Sequence, residues 1–305
     1  MPQKPLLGVK VVELAGIGPT PYAGKLLADL GAEVTRIEKP GALKLPVENR
    51  GKHARELNLK NAADVSVLKD MLVNTDILFE GNRPGVMEKL GLGPDVVHDI
   101  NPALIYGRMT GWGQTGPWAH KAGHDINYIG LTGALQAIGA PDQVPAVPLN
   151  FIGDYGGGSQ FLVIGILAAL HRASQTGKGC VVDAAIVDGT FSMMGIVYSL
   201  DHYGMWSPKR GANLLDGSRP YYRCYETSDG RYMAVGAIEP KFFAEMLRIL
   251  ALDADTFGGQ NDETLRAQQI QTLTDVFAQH PRAYWENLFD TTDACVTPVL
   301  TYTEA

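Results

Sequence analysis

The stretch GVKVVELAGIGPTPYAGKLLADLGAEVTRIEK, residues 8–39, changes its hydrophobic pattern twice. Residues 8–14 are rich in valine, residues 21–32 repeat leucine and alanine at helical spacing, and residues 33–39 return to a β-rich run. Strand, helix and strand in that order predict parallel crossovers, and so an α/β fold. The alternation continues outward, with a short run at 56–60, a helix over 62–74 and strands over 76–80 and 103–111. A helix over 156–173, a strand over 180–186 and a long helix from Asp188 follow. The composition turns to Gly, Pro and Ser at 207–220, which predicts a linker after a large domain over 1–206. Beyond it, YYRCYETSDGRYMAVGAI reads as two strands around Ser-Asp-Gly. Helices at about 240–250 and 263–279 complete a smaller α+β domain over 221–305.

Bulk composition narrows the function. Hydrophobic residues make up 45% and charged residues 19% of the 305, which is a folded rather than a disordered balance. A formal net charge of −7 argues against a nucleic-acid partner. The most apolar stretch, FLVIGILAALHRASQ, stops at His171 and Arg172 and reads as a buried helix, so no membrane span is expected. The opening MPQKPLLGVKVVELAG lacks the basic start and cleavage pattern of a leader. Cys180, Cys224 and Cys295 are odd in number, far apart and outside any metal-ligand spacing. Reduced thiols, a cytoplasmic location and no metal are the expectation.

Several segments carry chemistry. Gly16 and Gly18 permit a tight turn before a helix opened by Pro19 or Pro21. A dinucleotide fingerprint would need glycine where Pro21 stands, so NAD binding is disfavoured. Glu38 at the end of the strand at 33–39 would suit a ribose, but Arg36 on the same strand points to a phosphate or an adenine face, and Arg83 and Lys89 follow the strand at 76–80. Together the three make a cationic edge suited to a polyphosphate, although each taken singly also suits a solvated surface. Five glycines between 108 and 130 would let backbone approach a ligand closely, and His124 lies among them beside Asp125. A lone histidine is more commonly a hydrogen-bonded structural residue. Asp154 precedes three glycines and an apolar helix, where an ordinary N-cap is the plain alternative. A cap does not account for Gly156–Gly158, whereas close packing on a ligand would.

Six motifs in order, GVKVVELAGIGPTPYAGKLLADLGAEVTRIEKP, EGNRPGVMEKLGL, RMTGWGQTGPWAHKAGHDINY, NFIGDYGGGS, GKGCVVDAAIVDG and YMAVGAIEPKFF, span essentially the whole chain. They resemble the α-methylacyl-CoA racemases, a branch of the class III (carnitine/formyl-CoA type) CoA-transferase superfamily. The resemblance implies a large domain with a Rossmann-like parallel sheet, a small α+β domain and an interlocked homodimer. It implies a 2-methylacyl-CoA substrate, CoA being part of the substrate and no separate cofactor being needed. It implies that Asp154 is the superfamily's catalytic aspartate, His124 the second base and Glu239 a supporting carboxylate. Substrate contacts are implied for Ile17, Arg36, Leu57, Asn58, Leu59, Lys60, Gly81, Asn82, Arg83 and Lys89. Around the reacting carbon they are implied for Gly123, Asp125, Ile126, Asn127, Tyr128, Gly153, Tyr155 and Gly156.

Two departures stand out. Asn58 replaces the aspartate usual in the DLK form of that segment, and the family's chains run on past CVTPVL whereas this sequence ends at Ala305. Either the sequence is a fragment or the fold lacks that C-terminal return segment.

Inverting C2 of a 2-methylacyl thioester needs one group to take a proton and another to return one to the opposite face. Histidine titrates near neutrality and suits that exchange, while Asp154 needs partial desolvation to serve as a base. Backbone amides of a Gly156–Gly158 turn are expected to hold the enolate oxygen. CoA transfer through an Asp154 anhydride is the alternative and has no need of His124. A further alternative is a non-catalytic fragment that binds CoA thioesters.

Overall fold

The structure is a computed structural model describing residues 4–305, so the first three residues of the stretch read for a leader lie outside the described residues. The chain forms two compact units, one of residues up to Gln136 with Val147–Ser199, the other of Ala137–Ala146 with Leu200–Ala305.

The first unit is built on a parallel sheet. Strand β1 (Lys10–Leu14) leads through α1 (Pro19–Asp29) to β2 (Glu33–Glu38), as the opening stretch predicts. Then come β3 (Lys52–Glu56), α2 (Ala62–Leu72), β4 (Ile77–Glu80), the short α3 (Val86–Lys89), α4 (Pro94–Ile100) and β5 (Ile105–Thr110). Helix α5 (Asp125–Leu131) and a single turn α6 (Ala134–Ala137) precede a continuous helical rod. That rod is a π-helix over Phe151–Gln160 running into α7 (Phe161–Thr176). It is followed by β6 (Cys180–Ala185), α8 (Ile186–Met193) and α9 (Gly195–His202), in which the chain passes to the second unit.

The six strands lie in the order β3-β2-β1-β4-β5-β6, all parallel. This is the doubly wound order, and it reverses between β1 and β4. Ligands of such sheets bind outside the carboxyl ends of the strands at that reversal. Val11, Val34, Ile77, Phe79 and Ile105 pack one face of the sheet against Ala23, Leu27, Leu162 and Ile166 of α1 and α7. The rod Phe151–Thr176 is long and apolar enough to cross a membrane by length and composition. Here Leu162 and Ile166 lie over Gly107 of β5, and Gly165 admits Val182 of β6, so it serves as a core helix of the sheet.

Two elements differ from expectation for physical reasons. The third strand is Lys52–Glu56 rather than 56–60, because pairing with β2 decides it. It is an exposed edge strand whose side chains give no apolar alternation. The helix expected from Asp188 begins at Ile186 and is broken between α8 and α9.

The second unit is an antiparallel sheet of β7 (Tyr222–Glu226), β8 (Tyr232–Gly236) and β9 (Val296–Val299) with four helices. These are α10 (Pro240–Ile249), the turn α11 (Ala254–Phe257), α12 (Arg266–Phe277) and α13 (Arg282–Phe289). Tyr225, Met233, Phe243, Leu273, Phe277 and Trp285 form its core, and the hairpin turns at Ser-Asp-Gly. The expected linker, 207–220, is ordered by Asn213, whose side chain accepts from the Ser207 amide at 2.8 Å and donates to the Ser207 carbonyl at 3.0 Å.

Candidate active site

At the carboxyl end of β1, Gly18 adopts φ 74°, a left-handed conformation natural to glycine. A Cβ there would lie 2.7 Å from Asp154 Oδ2, so the turn expected from Gly16 and Gly18 leaves room for the Asp154 carboxylate. The turn after β4 abuts the same place, since a Cβ on Gly81 would meet Thr20 of α1 at 2.9 Å. The sheet's reversal point and the aspartate thus coincide.

Asp154 is not a helix cap. It lies inside the π-helix, whose four glycines at 153 and 156–158 have little preference for a regular α-helix. Ser159, fully buried, pins this helix by donating to the Pro19 carbonyl at 2.7 Å and to the Asp154 carbonyl at 3.0 Å. The Asp154 carboxylate is half-buried and accepts from Asn150 Nδ2 at 3.3 Å. Burial raises its pKa above the ordinary aspartate value, the Asn150 hydrogen bond opposes this, the Asp125 charge adds to it, and His124 counters it. Leu149, just before the helix, holds φ 58° without being glycine, a strained entry of the sort that collects at functional sites.

His124 stands at the N-cap position of α5, exposed, with its backbone N–H bonded to Asn127 Oδ1 at 3.0 Å. Its side chain is exposed at the head of α5, where a ligand can reach it. Asp125, next in sequence, is buried and accepts from the Asp154 amide at 2.6 Å. Tyr128 closes the turn by donating to the Gly123 carbonyl at 2.5 Å. Its ring fills the space over Gly111 and Gly123 and meets Trp112 edge-on at 4.7 Å. Burial raises the Tyr128 pKa, as does Asp154, while Arg83 lowers it, so the exposed Arg83 shares this neighbourhood. Tyr155 stacks on Tyr22 of α1 at 4.5 Å, and Ile17 and Ile126 are exposed.

A second group gathers apart from the carboxylates. Leu59, Lys60, Lys69 and Lys89 line a cleft of about 440 Å³. Asn58 shapes its approach, its amide bonded to Asp64 Oδ2 at 2.8 Å and its Oδ1 to the Lys60 amide at 3.2 Å. Leu57 is buried.

Two expectations meet a different arrangement. Arg36 is 4% exposed and its guanidinium pairs with Glu38 and approaches Glu13, inside a buried cluster that also holds Lys52. Burial pushes the Glu13 carboxyl up to about 7 against the pull of Lys52. Gly156–Gly158 form no turn, and their amides lie within a continuous helix rather than at its free end. Gly157 and Gly158 are there to admit α8, since Cβ atoms on them would meet Thr190 and Ile186. Glu239 is exposed at the N-cap of α10 in the second unit.

Sequence reasoning passed over the ion pairs that hold the cationic segment. Arg108 of β5 bonds Glu80 at 3.3 Å and Glu88 at 2.8 Å, and Glu80 accepts from the Asn82 amide at 2.5 Å. Burial pushes Glu80 up to about 7 despite these donors. These contacts fix the Gly81–Lys89 segment that carries Arg83 and Lys89. The signal was present, a charge of opposite sign in each of two neighbouring apolar strands.

Comparison with known proteins gives the same assignment across the chain. The model of CoA-transferase family III matches residues 6–305. The α-methylacyl-CoA racemase of Mus musculus is 44% identical, over 98% of this chain and 79% of its own. The acetyl-CoA:oxalate CoA-transferase of Acetobacter aceti is 30% identical, over 100% of this chain and 83% of its own. The crystal structure of a CAIB/BAIF family protein from Brucella suis superimposes with a TM-score of 0.83 at 26% identity, covering 99% of this chain and 85% of that one.

Proposed function

The chain belongs to CoA-transferase family III, and we propose that within it this protein is a racemase that interconverts (2R)- and (2S)-2-methylacyl-CoA thioesters. The observation that carries the reading is the 2.6 Å bond from the Asp154 amide to Asp125, which sets His124 and Asp154 on adjoining backbone. An exposed histidine beside a desolvated aspartate can act as an acid–base pair. An aspartate acting alone as a nucleophile would need no such neighbour. Higher identity to a racemase than to a transferase points the same way.

In the reaction one base takes the C2 proton, and the C–H electron pair moves into the thioester to form an enolate. The other, already protonated, returns a proton to the opposite face, so each turnover leaves the two groups with exchanged protonation. Burial strengthens Asp154 as a base. Arg83 is placed to attract the anionic CoA portion, and Lys60, Lys69 and Lys89 offer a cradle for its phosphates. The remaining contacts named from the resemblance, the buried Arg36 excepted, and the supporting role of Glu239 belong to the same proposal. CoA arrives as part of the substrate, and the two-base route itself asks for no further group. We propose a homodimer as the active form. Helix α9 buries none of its residues and exposes Ile196 and Tyr198, near exposed Phe191 of the same unit, a face suited to a second copy.

The test is incubation of each enantiomer of a 2-methylacyl-CoA in heavy water. Deuterium should enter C2 as the enantiomers interconvert, and the protein should sediment as a dimer. Transfer of CoA to an added carboxylate without C2 exchange would replace the racemase by a transferase.

A second result is expected at the turn. Gly18→Ala forces a methyl group to within 2.7 Å of Asp154 Oδ2 at a backbone angle alanine disfavours. Displacing a base by about 1 Å costs roughly 10²-fold in rate, so kcat should fall by about that factor. A kcat within threefold of wild type would show that the carboxylate position is not critical.

A further inference from the structure

We infer that the Asp125 carboxylate is a positioning residue for the acid–base pair, tying the start of the His124 helix to the backbone that carries Asp154. This inference rests on the racemase reading above.

The geometry is specific. Asp125 Oδ2 accepts from the Asp154 amide at 2.6 Å, and the Gly153 amide donates to the same carboxylate. Gly153 is needed for that grip, because a Cβ there would lie 2.5 Å from Asp125 Oδ2 and 3.0 Å from Ile129 Cγ2. Asp125 is 7% exposed, so the grip is shielded from competing water. Residues 124 and 154 come from different elements, and this carboxylate joins them directly. Rotation of either helix would change the gap across which a proton must pass to and from one carbon.

The choice of a charged residue carries further meaning. Asp125 Oδ1 is buried without a hydrogen-bond partner. A mere cap would be served as well by asparagine or serine, with no charge to bury. What the charge adds is a field at Asp154. The charges acting on Asp154 are Asp125, which raises its pKa, and His124, which lowers it. Tyr128, also on α5, and Arg83, from the turn after β4, share the neighbourhood. From α1 the site meets Gly18 and the Tyr22–Tyr155 stack. From α8 it meets Thr190 and Met193, which pack on Gly157 and Gly156, and the one acidic residue of α8, Asp188, is exposed. Asp125 is thus a buried anion whose charge adds to the burial that raises the Asp154 pKa.

The experiment compares Asp125→Asn and Asp125→Ala with wild type on both enantiomers, following kcat, KM and kcat/KM against pH, with thermal unfolding as control. Asp125→Ala should lose about 10²-fold in kcat with KM within about twofold, the signature of misplaced bases rather than lost binding. Asp125→Asn keeps an acceptor for the two amides and should recover part of that kcat. Its acid limb should move to lower pH, because removing a neighbouring negative charge lowers the pKa of Asp154. Both enantiomers should show this together, since the limb belongs to the coupled pair. An unmoved limb in Asp125→Asn, or wild-type kcat in both variants, overturns the inference, as does raised KM at unchanged kcat. If Asp125→Ala does not fold, Asp125→Asn decides alone. A wild type that exchanges no C2 hydrogen sinks the racemase reading and the inference with it, whereas an active wild type matched by Asp125→Asn sinks the inference alone.

Discussion

Interconversion of the two enantiomers should fall by about 10³-fold or more in both Asp154→Ala and His124→Ala, yet the two variants should fail differently. With two bases on opposite faces of C2, each variant keeps the base on one face. Asp154→Ala retains His124 and should wash deuterium into only the enantiomer whose C2 hydrogen faces the ring. His124→Ala should do so with the opposite enantiomer, through Asp154. Chiral separation followed by mass measurement of each enantiomer in heavy water reads this directly. Retention of racemisation in His124→Ala would remove the histidine from the chemistry. Equal loss of exchange from both enantiomers in both variants would point to one shared base. The fold should survive either change, since His124 is exposed and Asp154 holds its helix through backbone atoms.

The largest effect on stability is expected at a residue far from any ligand in sequence logic. Gly189 of α8 lies against the π-helix so closely that a Cβ would fall 1.9 Å from the Gly157 carbonyl oxygen and 2.7 Å from its carbon. Both partners are backbone, so no rotamer change relieves the clash and the two helices must part. Gly189→Ala should destabilise the protein by about 3 kcal/mol or more, above the usual range for one added methyl. Urea unfolding monitored by circular dichroism measures it. Gly195→Ala is the matched comparison, because nothing lies within 4 Å of a Cβ there and alanine favours α9. It should leave the midpoint unchanged or raise it. A Gly189→Ala midpoint equal to that of Gly195→Ala would show that α8 moves freely on the π-helix.

The sheet was largely legible because its strands announce themselves locally. Val11, Val34, Ile77 and Ile105 sit in short apolar runs separated by helical spacing, and parallel pairing follows from that alternation. β3 was misplaced because an exposed edge strand takes its bounds from pairing with β2, which local pattern does not encode. For the site, the motifs placed His124 and Asp154 in recognisable surroundings. What each glycine is for was not legible. Gly18 serves a carboxylate, Gly153 serves Asp125, and Gly157 serves a neighbouring helix, yet one letter stands for all three. Arg36 went astray for a similar reason. An arginine next but one to a glutamate on a strand looks like a ligand contact until the buried carboxylates of Glu13 and Glu38 are seen around it. Arg108 and Glu80 escaped notice because their partnership joins strands 28 residues apart.

The π-helix over Phe151–Gln160 makes the aim of Asp154 a matter of counting. Each of its i→i+5 bonds closes a loop one residue longer than the i→i+4 bond of an α-helix. Deleting a single residue from that segment would let it relax to an α-helix and swing everything before the deletion about the axis, while α7 stayed seated on the sheet. The site is therefore fragile to any change of length in this helix, over and above the demands its glycines and Ser159 place on residue type. Variation among relatives here should be read for insertions and deletions before it is read for residue type.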